Sequence, residues 1–336
     1  MTTATVNRTI RLDRRPVGLP GPETWKLDEE PVGDPGDGEV LVRALYLSLD
    51  PAMRGWINDV PSYIPPVQIG EVMRAIGVGR VVASNDERFA EGDVATGLLG
   101  IQDYALVPGN ALTKIDPHLA PLPTYLSALG MPGMTAYFGL LDIGRPQEGD
   151  TVVVSAAAGA VGAVTGQIAK LKGCRVVGIA GGPAKCAYVV DELGFDAAID
   201  YKAENVRARL AAECPGKINV YFDNVGGEIL DAALALLAMR ARVVLCGAIS
   251  QYNESTPSGP ANYLSLLVNR ASMTGFIVFD FADRYPEAIE EISTWLRDGK
   301  IKAREDIVEG LEIFPDALLK LYSGENHGKL VLKVGE

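Results

Sequence analysis

The residues best suited to chemistry in this 336-residue chain form a run of small side chains, Val152-Val153-Val154-Ser155-Ala156-Ala157-Ala158-Gly159-Ala160-Val161-Gly162, with Gly166 further along. An apolar strand, a tight turn and a helix start set backbone N–H groups and a helix dipole where they can face a pyrophosphate. Ala157 stands in the place of the first glycine of a GxGxxG turn. Taken alone, such a turn is also a plain strand–helix junction. Here it opens a series of strand–helix alternations, the context a dinucleotide site requires. Ala158, Gly159, Ala160, Val161 and Gly162 are therefore candidate cofactor contacts.

The end of the next strand selects the dinucleotide. An NAD site carries Asp or Glu roughly 20 residues beyond the glycines to bind the ribose 2′-hydroxyl. This chain has Ile179-Ala180-Gly181-Gly182-Pro183-Ala184-Lys185 there. Small residues without a carboxylate at Gly181, and Lys185 one turn into the next helix, suit a 2′-phosphate, so NADP(H) is the expected cofactor. Tyr201 and Lys202, just past the third strand, are placed to bond the same phosphate. Two further strand ends, Asp223-Asn224-Val225-Gly226-Gly227 and Cys246-Gly247-Ala248-Ile249-Ser250, lie on the carboxyl rim where a nicotinamide would sit. Either segment alone is also an ordinary turn. Metal chemistry is not expected: His118 and His327 are the only histidines, and Cys174, Cys186, Cys214 and Cys246 are widely spaced with no CxxC pair.

Two scaffolds are needed to position these residues, and the length, about twice that of a typical domain, provides for two. Up to residue 125, short apolar runs (Glu39–Tyr46, Gly77–Ser84, Asp93–Gly97, Asp103–Pro108) alternate with Gly and Pro turns, the pattern of an antiparallel barrel-like unit. From Thr151 the rhythm becomes strand then helix: Thr151–Ser155 and Ala160–Lys172, Arg175–Ala180 and Pro183–Leu193, Ala197–Asp200 and Glu204–Glu213, Asn219–Asp223 and Glu228–Met239, then Ala241–Cys246. That is a doubly wound parallel sheet, with ligands at the strands' carboxyl ends. The tail, strands Ile307–Ile313 and Lys329–Val334 around helix Pro315–Leu321, reads as a strand pair rejoining the first domain.

Composition narrows the function. Apolar residues at 48% and charged residues at 22% belong to a folded globular chain. A net charge of −12 argues against nucleic acid as a partner. The most apolar runs, Thr151–Val164 and Ile229–Met239, fall short of the ~20 residues that span a bilayer, so no membrane partner is expected. Residues 1–15 hold Arg8, Arg11, Arg14 and Arg15 but no apolar core of a signal peptide, and the sparse cysteines fit a reducing compartment, so a cytoplasmic protein is expected.

Seven stretches in order, SLDPAMRGW (Ser48–Trp56), MPGMTAYFGL (Met131–Leu140), AAAGAVG (Ala156–Gly162), GQIAKLKGCRVVG (Gly166–Gly178), YFDNVGG (Tyr221–Gly227), CGAISQYN (Cys246–Asn253) and GENHGKLV (Gly324–Val331), resemble the zinc-independent medium-chain dehydrogenase/reductases. Within them the chain is similar to the prostaglandin reductase, leukotriene hydroxydehydrogenase and alkenal/curcumin double-bond reductase branch. The resemblance implies an α/β chain with a GroES-like β-barrel catalytic domain (1–125 and 303–336) and a Rossmann doubly wound parallel-sheet domain for NADP(H) (126–302). It implies NADPH-dependent reduction of the C=C bond of α,β-unsaturated aldehydes or ketones, by hydride transfer to the β-carbon and protonation of the enolate. It also implies a homodimer joined through the Rossmann domain.

By motif match, Lys185 and Tyr201 would hold the 2′-phosphate, and Asn224 and Asn326 the central part of the cofactor. Cys246, Phe276 and Val278 would line the ribose and nicotinamide region, beside the Gly247, Ala248 and Ile249 backbone. Tyr252 matches a tyrosine that bonds the substrate carbonyl, and Tyr63 a second pocket tyrosine. Where many relatives have tyrosine after the DP of SLDP, this chain has Ala52, which implies a roomier or less polar pocket. An NADPH quinone reductase, a zinc-free alcohol dehydrogenase and a non-catalytic NADPH-binding protein remain the alternatives, since fold does not fix function.

Overall fold

The computed structural model describes residues 5–335. The chain divides into two compact units, Met1–Leu126 with Glu305–Glu336, and Ser127–Arg304. Among the described residues no helix is long and apolar enough to cross a membrane.

In the first unit, alternating runs become strands because every second side chain turns inward. A hairpin of β1 (Val6–Leu12) and β2 (Trp25–Pro31) is followed by β3 (Glu39–Ser48), the short helix α1 (Met53–Trp56), β4 (Ile76–Ser84), β5 (Val94–Leu98), β6 (Tyr104–Pro108) and β7 (Leu112–Lys114). The core between them includes Ile10, Leu12, Val42, Leu47, Met73, Leu99 and Ile101.

The second unit begins with α2 (Met131–Phe138) and continues through β8 (Thr151–Ser155), α3 (Ala160–Leu171), β9 (Arg175–Ala180), α4 (Pro183–Ala187), β10 (Ala197–Asp200), α5 (Val206–Glu213), β11 (Ile218–Asp223), α6 (Gly227–Leu234), β12 (Leu237–Leu245), α7 (Leu264–Asn269), β13 (Ser272–Gly275) and α8 (Tyr285–Arg297). The six strands are parallel in the order β10-β9-β8-β11-β12-β13. β8 is buried along its whole length, as a strand covered on both faces must be. Strand order departs in opposite directions from the β8/β11 pair, and that switch point opens a crevice beyond the strand ends.

The tail returns to the first unit as β14 (Glu305–Glu309), α9 (Phe314–Ser323) and β15 (Lys329–Lys333), extending its sheet to β14-β15-β3-β4-β5-β7 with β6 on β3. A buried ion pair fixes that return. Lys329, 2% exposed, donates to Asp50 Oδ1 at 2.5 Å and to the Leu49 carbonyl at 2.8 Å. The Ser48 hydroxyl donates to the other Asp50 oxygen. Burial draws the Lys329 ammonium below its usual range while Asp50 opposes the shift.

Three element assignments differ from the sequence reading. Leu237–Met239 is strand, not helix, because Leu237 pairs with Ile218 in the sheet and that pairing overrides an alanine- and leucine-rich helical pattern. Leu311–Ile313 leaves the tail strand as a tight helical turn running into α9. The barrel sheet is mixed, since β14 and β15 run parallel. The sequence pattern does not predict β1, β2, β7, β13, α1, α2, α7 or α8; β13 is four residues long, three of them exposed, and gives no apolar alternation.

Lys329→Met should cost about 3–5 kcal/mol of stability, because it strands Asp50 buried without its cation. Adding Asp50→Leu should return most of that loss. Denaturant midpoints of the two variants check this, and a wild-type midpoint for Lys329→Met would contradict it.

Candidate functional site

The turn after β8 is tight enough to dictate its residues. Ala156 sits at φ 49, left-handed for a residue with a side chain, the kind of local strain that collects at functional turns. Ala157 is fully buried, and its methyl would lie 2.8 Å from a Cβ placed on Gly178, so a glycine on β9 makes the room that a glycine at 157 would otherwise provide. A Cβ on Gly162 would stand 2.3 Å from the Ala156 carbonyl oxygen, so only glycine lets the helix start pack this close. Gly159 begins α3 with no side-chain cap on the first turn. The N–H groups of Ala160, Val161 and Gly162 lie in that first turn, where the helix itself supplies no acceptor. This cradle, with Ala158 and Gly159 at its lip, fits a pyrophosphate.

The end of β9 is built for a different group. A Cβ on Gly181 would meet the Tyr201 ring at 2.8 Å and the Lys202 stem at 3.0 Å, so both side chains lie across this glycine. Gly182, at φ 93, donates its N–H to Asp200 Oδ1 at 2.8 Å, and Lys202 N–H reaches the same oxygen at 3.0 Å. Half-buried Lys185 follows on α4. A phenol and an ammonium across a glycine corner are chemistry for a phosphate dianion, and no carboxylate ends β9. Asp200, which organises this corner, was legible in the sequence only as the end of a strand.

The ends of β11 and β12 form one hydrogen-bonded body. Asp223, 1% exposed, accepts from Tyr221 hydroxyl at 2.9 Å, Ser155 hydroxyl at 3.0 Å, and the N–H groups of Val225 and Gly226 at 3.1 Å. Burial raises the Asp223 carboxyl although these donors pull it down, and burial holds the Tyr221 phenol well above its ordinary range. Asn224 donates its side-chain amide to the Ser155 carbonyl at 2.7 Å and its N–H to Ser155 Oγ at 2.8 Å. The Tyr252 hydroxyl accepts the Ala248 N–H at 3.2 Å and would lie 3.0 Å from a Cβ on Gly247, so a side chain there would press on the phenol. Burial pushes the Cys246 thiol up to about 12. Phe276 lies over Gly139 and Phe222, and buried Val278 offers its carbonyl to Tyr285 hydroxyl at 3.1 Å. The Tyr221–Asp223–Ser155 cluster was missed from sequence; its signal is one polar residue closing each of two neighbouring apolar strands.

The second unit thus carries the small-residue turn after β8, the Gly181–Tyr201–Lys202 corner with Lys185 on the following helix, and the Asn224, Cys246–Ile249 and Tyr252 segments. Tyr63 and Asn326 belong to the first unit. Tyr63 is half exposed, and its hydroxyl accepts Trp56 Nε1–H at 2.8 Å; burial raises its phenol. Asn326 turns its amide onto the Gly328 carbonyl at 2.9 Å. Ala52 packs partly buried on that unit's core. Among the described residues no group of three His, Cys, Asp or Glu is placed to hold a metal ion.

Comparison with known proteins gives matches along the whole chain. Residues 8–115 match a family described as the N-terminal domain of oxidoreductase, and residues 160–294 one described as zinc-binding dehydrogenase. The chain is 47% identical to the NADPH-dependent curcumin reductase of Escherichia coli, over 98% of this chain and 97% of that one. It is 42% identical to the NADP(+)-dependent 2-alkenal reductase of Nicotiana tabacum, over 89% and 88%. The crystal structure of CurA in complex with NADPH from Vibrio vulnificus superposes with a TM-score of 0.93 at 47% identity, covering 98% of this chain and 99% of that one.

Proposed function

The chain belongs to the medium-chain dehydrogenase/reductases, in the branch of the curcumin, 2-alkenal and prostaglandin reductases, and from that membership we propose that it reduces the C=C bond of α,β-unsaturated aldehydes and ketones with NADPH. The match to a curcumin reductase over 98% of the chain and to a 2-alkenal reductase over 89% of it carries this reading. The substrate is a small enone or enal.

When bound, the reduced nicotinamide supplies the hydride that adds to the substrate's β-carbon. Everything else falls to the chain. The uncapped start of α3, at Ala158 to Gly162, takes the pyrophosphate. Lys185, on α4, and Tyr201, whose ring lies across Gly181, take the 2′-phosphate. Asn224, Cys246, Gly247, Ala248, Ile249, Phe276 and Val278 line the nicotinamide half. Tyr252 is the catalytic donor: its O–H bonds the carbonyl oxygen as negative charge grows there, and the α-carbon then takes a proton from Tyr252 or water. The Ala248 N–H directed at the phenol oxygen polarises that O–H and strengthens it as a donor. Tyr63 is proposed as a second catalytic tyrosine on its motif match alone. We propose that the reaction runs without zinc, which the scarcity of histidine and the absence of a ligand cluster among the described residues support. A cytoplasmic location fits four cysteines with no disulfide. A homodimer fits the outer edge of β13, at the end of its sheet, and exposed Leu264, Leu267 and Val268 on α7, which a second copy would cover.

NADPH consumption with 2-alkenals and an aryl enone, yielding the saturated carbonyl and surviving dialysis against a chelator, is the expected result. Activity confined to quinones or saturated ketones would overturn the reading. Tyr252→Phe should lower enone turnover by about 10²–10³, the usual loss of one oxyanion donor, with NADPH binding kept. Lys185→Ala should weaken NADPH roughly 10- to 100-fold, the range for one charge-assisted bond, and leave NADH unchanged. Equal loss for both cofactors would contradict the 2′-phosphate assignment. Light scattering should give twice 35.7 kDa for the wild type, and Leu267→Asp should give the monomer mass; a monomeric wild type would remove the dimer.

A further inference from the structure

A carboxylate closed inside a sheet calls for an explanation, because burying charge is expensive unless each oxygen is supplied with donors. Asp223 is supplied to excess. Two hydroxyls, from Tyr221 and Ser155, and two backbone N–H groups converge on Oδ1, and Gly226 N–H also reaches Oδ2 at 3.2 Å. None of these groups has a place in the reaction derived above.

What the cluster does is hold a turn. Asp223-Asn224-Val225-Gly226 leaves β11 and reverses through Gly226 at φ 72 and Gly227 at φ 56, and its own carboxylate clasps the N–H groups of Val225 and Gly226. With the turn so fixed, three consecutive carbonyls become a rack for the segment after β12. The Asp223 carbonyl takes the N–H groups of Cys246 at 2.9 Å and Gly247 at 3.0 Å, the Asn224 carbonyl takes Ile249 at 3.2 Å, and the Val225 carbonyl takes the Ser250 N–H at 3.1 Å and its hydroxyl at 2.6 Å. The segment held this way is the one that carries Tyr252, whose phenol folds back onto the Ala248 N–H.

We propose that Asp223, braced by Tyr221 and Ser155, is a positioning residue for Tyr252, fixing the phenol through the carbonyls of residues 223–225. The inference rests on the reading of Tyr252 as the carbonyl donor. Tyr221 is the handle that tests it. Its hydroxyl sits on Asp223, and Tyr221→Phe removes one O–H without changing the shape of the side chain. A shift of the donor by a fraction of an ångström acts on kcat rather than on cofactor affinity.

The experiment is a double-mutant cycle on enone turnover with wild type, Tyr221→Phe, Tyr252→Phe and the pair, with the NADPH dissociation constant measured for each. Tyr221→Phe should lower kcat about tenfold, leave NADPH affinity within about twofold, and add no further loss in the Tyr252→Phe background, since the effect travels through the missing phenol. The same factor lost in both backgrounds, or an unchanged kcat for Tyr221→Phe, overturns the inference while the donor reading stands. Unchanged turnover for Tyr252→Phe overturns the donor reading and the inference with it. If Tyr221→Phe does not fold, Asp223→Asn, which keeps the size of the side chain, enters the cycle in its place with the same criteria.

Discussion

The pairing of β8 with β11 is the contact on which the site depends. These strands run parallel and buried at the centre of the sheet, and their successors depart in opposite directions. A doubly wound sheet has one such place, and there the loops after the two strands separate enough to admit a dinucleotide. Ser155 ends one strand and Asp223 the other, and their side chains bond each other across the pair. The bond that closes the sheet at its carboxyl edge therefore also registers the turn after β8 against the turn after β11.

The first unit meets a different demand. Its mixed sheet is assembled from two stretches of chain that lie far apart in sequence, and nothing covalent obliges the late segment to return. Leu330 and Leu332 on β15 provide part of the reason by burial in the common core. The Lys329–Asp50 pair provides register, because a buried ammonium accepts one partner geometry and no slipped alternative. Asp50 also begins the turn into α1, so the same pair fixes the helix that carries Trp56, and Trp56 in turn donates to the Tyr63 hydroxyl.

Much of this was legible in the sequence because it is written in local patterns. The strands at Thr151–Ser155 and Arg175–Ala180 begin and end where the apolar runs do, since a buried parallel strand has nothing but its apolar run to define it. The turn at Ala156–Gly162 was legible because close packing admits only small residues there. What was not legible is non-local. Leu237 looks helical until Ile218 is beside it. The compensation between Ala157 and Gly178 joins two strands and shows in neither. Asp223 looked like part of a glycine turn, and its role comes from Tyr221 beneath it and Ser155 across the sheet.

An enzyme of conjugated aldehydes and ketones faces one further constraint from its own substrate. Such compounds are electrophiles at the β-carbon, and a thiolate in the pocket would add there before a hydride could. The nucleophile is the thiolate, not the thiol, so protection means keeping the proton on sulfur. Burial does this at every cysteine of the chain: Cys246 is pushed up to about 12, Cys174 and Cys214 to about 11, and Cys186 upward as well. At Cys246 the buried Asp223 carboxylate adds to the effect, because a negative charge nearby opposes a second one on sulfur. The group that braces the Tyr252 segment thus also quiets the thiol beside it. A rim built on a carboxylate, rather than on a lysine or an exposed helix start, keeps the proton on this sulfur.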